Sequence, residues 1–391
     1  MKNLFKNITA VIFLLLLASA CRKEIPQINN PQDTISGNFS EVFDSFWSGM
    51  NNNYVFWDID TTNWDRVYKE YKPLFAKLNL YDSTDVRKGY SYFKEMTKGL
   101  TDSHYDLSFN DDWLQDSSSI NPAYQRKLAS PSYHDPISIF HFYDVITTNY
   151  LDPGRKRGFT NTERGQYVAV SGTINNSTLY FFCSGFNLKT LFETDTANGV
   201  KTVTQYFFDK LKNTPNITGI ILDVRGNSGG ALVDLDFLIG KMINKQLNFG
   251  YTRSKQGNGR LDYSPWAPAF VTPQPDSRNI TAPIVILADS WSVSMAEMTA
   301  MAVKSLPNGH FIGERTWGAT GPLIDKKFYN GGQFSTDYIN LAYTSSLMLK
   351  YRDGKNYEGI GFPPDIEVKY DESAFNAGKD PQLEAALKLI K

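Results

Sequence analysis

The chain has 391 residues, of which 41% are hydrophobic, 14% aromatic and 21% charged. That balance supplies a sizeable core and excludes disorder as the dominant state. Forty Lys and Arg stand against 41 Asp and Glu, so the basic face that nucleic-acid binding needs is missing. Two cysteines, Cys21 and Cys183, exclude a disulfide scaffold or a cysteine zinc cluster. The four histidines, His104, His134, His141 and His310, are too widely spaced for a local metal motif. Neither a metal nor a cofactor is expected.

Residues 1–21 read MKNLFKNITAVIFLLLLASAC. Lys2 and Lys6 form a positive start, and the apolar run Ala10–Leu17 is too short to span a bilayer as a mature helix. Ala18, Ser19 and Ala20 are small residues of the kind a signal peptidase requires. The cysteine directly after them resembles a bacterial lipobox, with Ala18 where leucine is commoner. Residues 1–20 then form a lipoprotein signal peptide, and the product begins at a lipidated Cys21. The alternative is an ordinary secretory signal with an incidental cysteine. A lipid anchor places the protein in a bacterial cell envelope, facing the periplasm or the surface. Arg22, rather than an inner-membrane retention aspartate, favours the outer membrane. Residues 21–37 are polar and Pro/Asn-rich, and read as a tether.

Residues 38–105 carry helical patterns and read as an N-terminal helical domain. FSEVFDSFWSGM spaces Phe39, Val42, Phe43 and Phe46 on one face, and Asn63 precedes a second amphipathic run. A third run follows Ser83 and Thr84, either of which serves as a cap, and ends at Gly99. Residues 106–175 are polar and aperiodic, a poorly readable insert with room for several short strands and no Gly-rich loop of a PDZ module. From residue 176 to 391 strands and helices alternate: TLYFFC, an amphipathic helix VKTVTQYFFDKLKN, the buried strand TGIILDV, a helix ALVDLDFLIGKMIN, the buried strand APIVILAD and a helix SMAEMTAMAVKSL. HFIGE is a further strand, and DPQLEAALKLI closes the chain as a helix capped by Asp380. The fold class is mixed α/β, a helical domain followed by a layered α/β core. Cys183, in the apolar run LYFFCSGF, reads as a buried thiol.

Two loops share one design, a buried strand, a tight turn and then a helix, where free N–H groups stabilise negative charge. The first, DVRGNSGG (Asp223–Gly230), fits G-x-S-x-G around Ser228. An α/β-hydrolase esterase needs an acid and then a histidine downstream, and only His310 follows. The plainer reading is a glycine-rich turn that lets backbone approach closely. In the same loop Asp223 and Arg225 read as a structural ion pair. The second loop, ADSWSVSMAE (Ala288–Glu297), starts a helix near Ser294. Ser294 with Glu297 three residues on also fits a capping box, which needs no catalysis.

The blocks together resemble the C-terminal-processing (tail-specific) serine peptidases and the tricorn core protease. LTDSHY (Leu100–Tyr105) is similar to the segment that ends the family's helical region. ILDVRGNSGG (Ile221–Gly230) is similar to its D-x-R-x-N-x-G-G loop. Ile286–Glu297 followed by GERTWG (Gly313–Gly318) resembles its S-x-x-E and G-E-x-T-x-G block, and YEGIGFPPD (Tyr357–Asp365) is a weaker fourth match. The resemblance implies a core of the ClpP/crotonase-like kind and no evident PDZ domain. It places the nucleophile on Ser294. In the Ser–Lys branch a lysine follows G-E-x-T-x-G directly, and here that position is Ala319. The tricorn-like branch uses histidine with a preceding serine and a glutamate, which fall on His104, Ser103 and Glu358.

The implied reaction is acyl transfer to peptide or protein substrates. His104 takes the Ser294 proton and returns it to the leaving amine. Ser103 orients His104, and Glu358 acts through Ser103 or a water. The oxyanion is held by the N–H of Met295 with that of Gly229 or Gly230. Two other readings stay open: a non-catalytic module on the same fold, holding an apolar ligand or a glycan, and the esterase through Ser228.

Overall fold

Strands β1 to β13 and helices α1 to α11 are numbered in chain order. The computed structural model describes residues 36–117, 119–257, 259–324 and 330–391. The proposed signal, Cys21 and nearly all of the tether lie outside the described residues. Among the described residues no helix is long and apolar enough to cross a membrane.

Three helices open the fold: α1 (Phe39–Asn53), α2 (Trp64–Phe75) and α3 (Ser83–Thr97). Asn63 caps α2 through the Arg66 N–H, as its position implies. The cap of α3 is Asp82, not Ser83 or Thr84: its carboxylate accepts the N–H groups of Thr84 and Asp85. An acceptor one residue earlier, already negative, suits the positive end of the helix better than a hydroxyl. Phe39, Phe43, Phe46, Phe75 and Phe93 interlock between these helices, all fully buried.

The stretch 106–175 is less of an insert than its composition implies. It contains β1 (Asp106–Phe109), two helices, α4 (Pro122–Leu128) and α5 (Ile139–Asn149), and two strands, β2 (Lys156–Thr162) and β3 (Gly165–Ile174). Those two strands form one edge of the main sheet. They escape a periodicity search because β2 is largely exposed and polar (KRGFTNT), and β3 from Val168 on is buried without alternation.

The rest runs β4 (Thr178–Cys183), α6 (Leu188–Glu193), α7 (Gly199–Asn213), β5 (Gly219–Asp223), α8 (Val233–Ile239), β6 (Leu247–Ser254), β7 (Ala267–Val271), β8 (Ile284–Ala288), α9 (Met295–Lys304), β9 (Gly309–Gly313), β10 (Gln333–Phe334), β11 (Ile339–Tyr343), β12 (Leu347–Tyr351), β13 (Ile366–Glu367), α10 (Glu372–Asn376) and α11 (Pro381–Ile390). Seven strands form one sheet in the order β13-β9-β8-β5-β4-β3-β2, parallel from β13 to β4 and antiparallel from there to β2. Its central strands are buried on both faces, which is why they read as unbroken apolar runs. Alternate residues serve opposite layers. Ile220, Leu222, Ile284 and Ile286 pack with α7 and α9, while Ile221, Val285 and Leu287 pack with α5 and α11.

Two small sheets, β1-β11-β10 and β12-β6-β7, flank this core. Phe334, Tyr338, Ile339, Ala342 and Met348 complete the core of the N-terminal helices. The helical region is therefore finished by residues nearly 300 positions downstream, rather than being contiguous from 38 to 105. Because β5, β8 and β9 are parallel, the loops after Asp223, Ala288 and Gly313 open on one edge of the sheet, where α/β folds bind ligands.

Candidate active site

Ser294 stands at the start of α9 with φ +58° and ψ −112°. A serine that merely caps a helix sits in extended backbone and turns its hydroxyl onto the first N–H groups. Ser294 is not in extended backbone, although with Glu297 it closes a capping box at the start of the helix. A non-glycine residue in such a region costs about 1–3 kcal/mol, which the surroundings must offset. Glu297 Oε2 accepts the Ser294 N–H at 3.0 Å, and the Val293 N–H donates to the Asn227 carbonyl at 2.9 Å. The side chain is half-buried, so its hydroxyl is reachable.

The glycine loop lies directly against this serine. Gly229 has φ +91°, and a Cβ there would come 2.8 Å from Ser294 Cβ and 2.9 Å from the Val293 carbonyl. Its N–H, however, donates to Asn227 Oδ1 at 2.8 Å, which corrects the expectation that it serves an oxyanion. The N–H groups of Met295 and Gly230 donate to no partner among the described residues. Ser228 is exposed at the turn and makes no hydrogen bond among the described residues, while His310 lies within β9, so the esterase constellation is not assembled. Arg225 is a brace: fully buried, it forks between Asp223 (2.6 Å) and Asp380 (2.7 Å) and donates to Gln382 (2.8 Å). The two loops are also stitched together, with Asp289 accepting the Gly226 N–H at 3.0 Å and Ser292 donating to the Val224 carbonyl at 2.7 Å.

The segment carrying His104 belongs to the other core, through Leu100, Tyr105 and Leu107. Tyr54 and Asp60 fix it by accepting the N–H groups of Asp102 (3.1 Å) and Thr101 (2.7 Å). Glu358 accepts the Ser103 N–H at 2.8 Å on one oxygen, and the N–H groups of Thr320 (2.7 Å) and Gly321 (2.8 Å) on the other. Ser103 and Glu358 thus meet through backbone, not through the Ser103 hydroxyl. The Nδ1 of His104 faces Ser345 Oγ at 3.3 Å instead of Ser103. Burial pushes the His104 imidazole down to about 4, which keeps it in its base form at neutral pH.

The neighbouring carboxylates move the other way. Burial raises Asp102 to about 6 against the pull of the Ser345 and His104 donors. It raises Glu297 to about 7 against the pull of Thr316, Gly318, Ser294 and Ala319. Glu358 is driven up by burial and by the charge of Asp102. Asp102, His104 and Glu358 bring ligand atoms within 4.8 Å of one another. Their carboxylate oxygens already accept N–H and O–H donors, so a cation would have to displace those bonds.

A family model for peptidase family S41 matches residues 190–368, and one for the tricorn protease C1 domain matches residues 37–82. Over residues 190–368 the chain is therefore similar to peptidase family S41. It is 27% identical over 185 residues to the tricorn protease of Thermoplasma acidophilum, a match that covers 47% of this chain and 15% of that protein. Against the carboxy-terminal processing protease CtpA of Bacillus subtilis it is 31% identical over 167 residues, covering 43% and 31%. The matched segments thus span well under two thirds of these relatives. Among solved structures, the fold is similar to that of a putative peptidase from Parabacteroides merdae, with a TM-score of 0.65, 21% identity and coverage of 91% of this chain and 97% of that one.

Ala319, where the Ser–Lys branch carries its amine, is fully buried, and its N–H donates to Glu297 at 2.7 Å. The sequence reading missed Asp102 and Ser345. Asp102 stands inside the motif LTDSHY and was within reach of it. Ser345, in the run Thr344-Ser345-Ser346, carries no local signal.

Proposed function

We propose that this chain is a serine-type peptidase that hydrolyses peptide bonds by acyl transfer, with Ser294 as nucleophile and His104 as general base. The observation that carries the reading is the setting of Ser294: a half-buried serine held at φ +58° against the glycine loop, beside two backbone N–H groups that donate to no partner among the described residues. The similarity of residues 190–368 to peptidase family S41 supports the same reaction.

His104 Nε2 takes the proton of Ser294 Oγ as that oxygen attacks the scissile carbonyl carbon. The tetrahedral oxyanion is received by the N–H groups of Met295 and Gly230 at the positive end of α9. Collapse expels the amine, which takes the proton from His104. A water then repeats the cycle on the acyl-enzyme and frees the second product. Glu297 and Glu358 touch no reacting atom in this scheme. They fix the backbone on either side.

The lipobox-like LASAC supports a location in the bacterial envelope with a lipid anchor on Cys21, and Arg22 favours the outer membrane. Loss of fatty-acid labelling in Cys21→Ser tests the anchor.

For the chemistry, the test is labelling of the full chain by a serine-directed phosphonate together with hydrolysis of a peptide library. Both are expected in the parent and absent in Ser294→Ala. Labelling that persists in Ser294→Ala removes Ser294 from its role. Co-purified lipid or glycan with no hydrolysis makes the chain a binding module.

A further inference from the structure

A general base must hold its ring in one tautomer, with the lone pair toward the nucleophile. Ser345 Oγ lies 2.9 Å from Asp102 Oδ1 and 3.3 Å from His104 Nδ1. The Ser345 N–H donates to Asp102 Oδ2 at 2.7 Å, and the His104 N–H donates to Asp102 Oδ1 at 2.9 Å. Asp102 is fully buried. An ionised carboxylate only accepts, so the Ser345 hydroxyl gives its single proton to Asp102. Its oxygen is then left to accept from the imidazole. Nδ1 carries the ring proton, and Nε2 keeps the lone pair.

We infer that Asp102 and Ser345 are the positioning pair of His104, fixing the tautomer in which Nε2 is the base. The inference rests on the reading of Ser294 and His104 as nucleophile and base. Ser345 lies in the turn between β11 and β12, 241 positions from His104. Gly321 backs it: a Cβ there would come 2.5 Å from Ser345 Oγ and 2.7 Å from Ser345 Cβ. Gly321 also gives its N–H to Glu358, so the wall behind Ser345 is held by the carboxylate that holds Ser103. The work divides between two pairs. Glu358 fixes the backbone of the base segment, and Asp102 with Ser345 fixes the ring.

The ring is read directly by ¹⁵N NMR of histidine-labelled Ser294→Ala protein at pH 7, with His104 assigned by its loss in His104→Gln. The Nδ1–H form is expected in that background. Ser345→Ala releases the ring toward the Nε2–H form that free histidine prefers, and Ser103→Ala leaves the signature in place. On the active enzyme, Ser345→Ala lowers kcat about 10²-fold, the lower end of what a positioned base contributes, with KM little changed. Asp102→Asn does the same, because an amide nitrogen in place of either oxygen faces an N–H. An unchanged tautomer and unchanged kcat in a folded Ser345→Ala protein overturn the inference, as does a tautomer that follows Ser103. Phosphonate labelling that survives Ser294→Ala overturns the peptidase reading instead, and leaves the tautomer measurement intact.

Discussion

Glu297 and Glu358 hold consecutive halves of one four-residue segment. Glu297 accepts the N–H groups of Gly318 and Ala319, both at 2.7 Å, and Glu358 accepts those of Thr320 at 2.7 Å and Gly321 at 2.8 Å. The first carboxylate also accepts the Ser294 N–H, and the second the Ser103 N–H. Residues 318–321 therefore tie the backbone of one candidate catalytic group to the backbone beside the other. The two groups sit in different cores, so this tie sets their relation more directly than either core does.

Glu297→Gln tests the tie. The side chain keeps its size but puts an NH2 group where N–H donors converge, leaving at least one buried donor without an acceptor. Such a loss costs about 1–3 kcal/mol, so Tm falls. The phosphonate labels Ser294 more slowly, because the strained backbone at φ +58° loses its restraint. Thermal unfolding and labelling rate check both effects. A variant that matches the parent in each contradicts the account.

Gly229→Ala separates close approach from backbone conformation. A Cβ at 229 meets Ser294 Cβ at 2.8 Å and the Val293 carbonyl at 2.9 Å, so the loop must retreat from the serine. Gly226, at φ +65°, has nothing within 4 Å of its Cβ position. Gly226→Ala then shows only the left-handed penalty, about 1–2 kcal/mol. Gly229→Ala shows that penalty and, in addition, a fall in turnover of about 10²-fold as the oxyanion site opens. Equal turnover in the two variants refutes the difference.

Much of the site was legible because its chemistry is local. The strands before each loop announced themselves as apolar runs, since both faces of a central parallel strand are covered. Asp380 caps α11 as its position before Pro381 implies, and it also anchors Arg225. What stayed hidden is long-range or edge-bound. Strand β2 is exposed and carries no alternation, so nothing in KRGFTNT marks it as part of the main sheet. Ser345 finds its role only when the chain folds back over 241 positions. The family resemblance gives Ser103 the task of orienting the imidazole, but the ring faces Ser345, and the contact of Ser103 to Glu358 is through the N–H.

The acid limb of activity follows from the burial of His104. Its imidazole is held down to about 4, below the ordinary 6.5, so the base form persists on the acid side. The kcat/KM profile is expected to show a first decline near pH 6 as Asp102 takes up a proton and a final fall through about pH 4 as the ring protonates. Stability shares the sign. Protonation favours the unfolded chain, so this group's contribution is lost as pH falls from 6.5 toward 4. Glu297 and Asp102, raised to about 7 and about 6, act oppositely, and their contributions are lost as pH rises through those values. An acid limb centred at or above 6.5 shows that the imidazole is not desolvated.

Arg225 separates scaffold from chemistry. Its guanidinium lies between Asp223 and Asp380, each side chain at most 1% exposed. Truncation in Arg225→Ala strands two carboxylates in the interior, and breaking a buried pair from one side costs about 3–5 kcal/mol. Arg225→Lys restores the charge but not the fork that reaches both partners and Gln382, so it falls between parent and alanine. The loop that follows, with Asn227, Gly229 and Gly230, loses its footing on α11. Labelling of Ser294 should therefore slow in proportion to the lost stability, although Arg225 approaches no reacting atom. Urea unfolding and labelling measured on the three proteins check this order. Full stability in Arg225→Ala, or slow labelling without any loss of stability, contradicts the scaffold role.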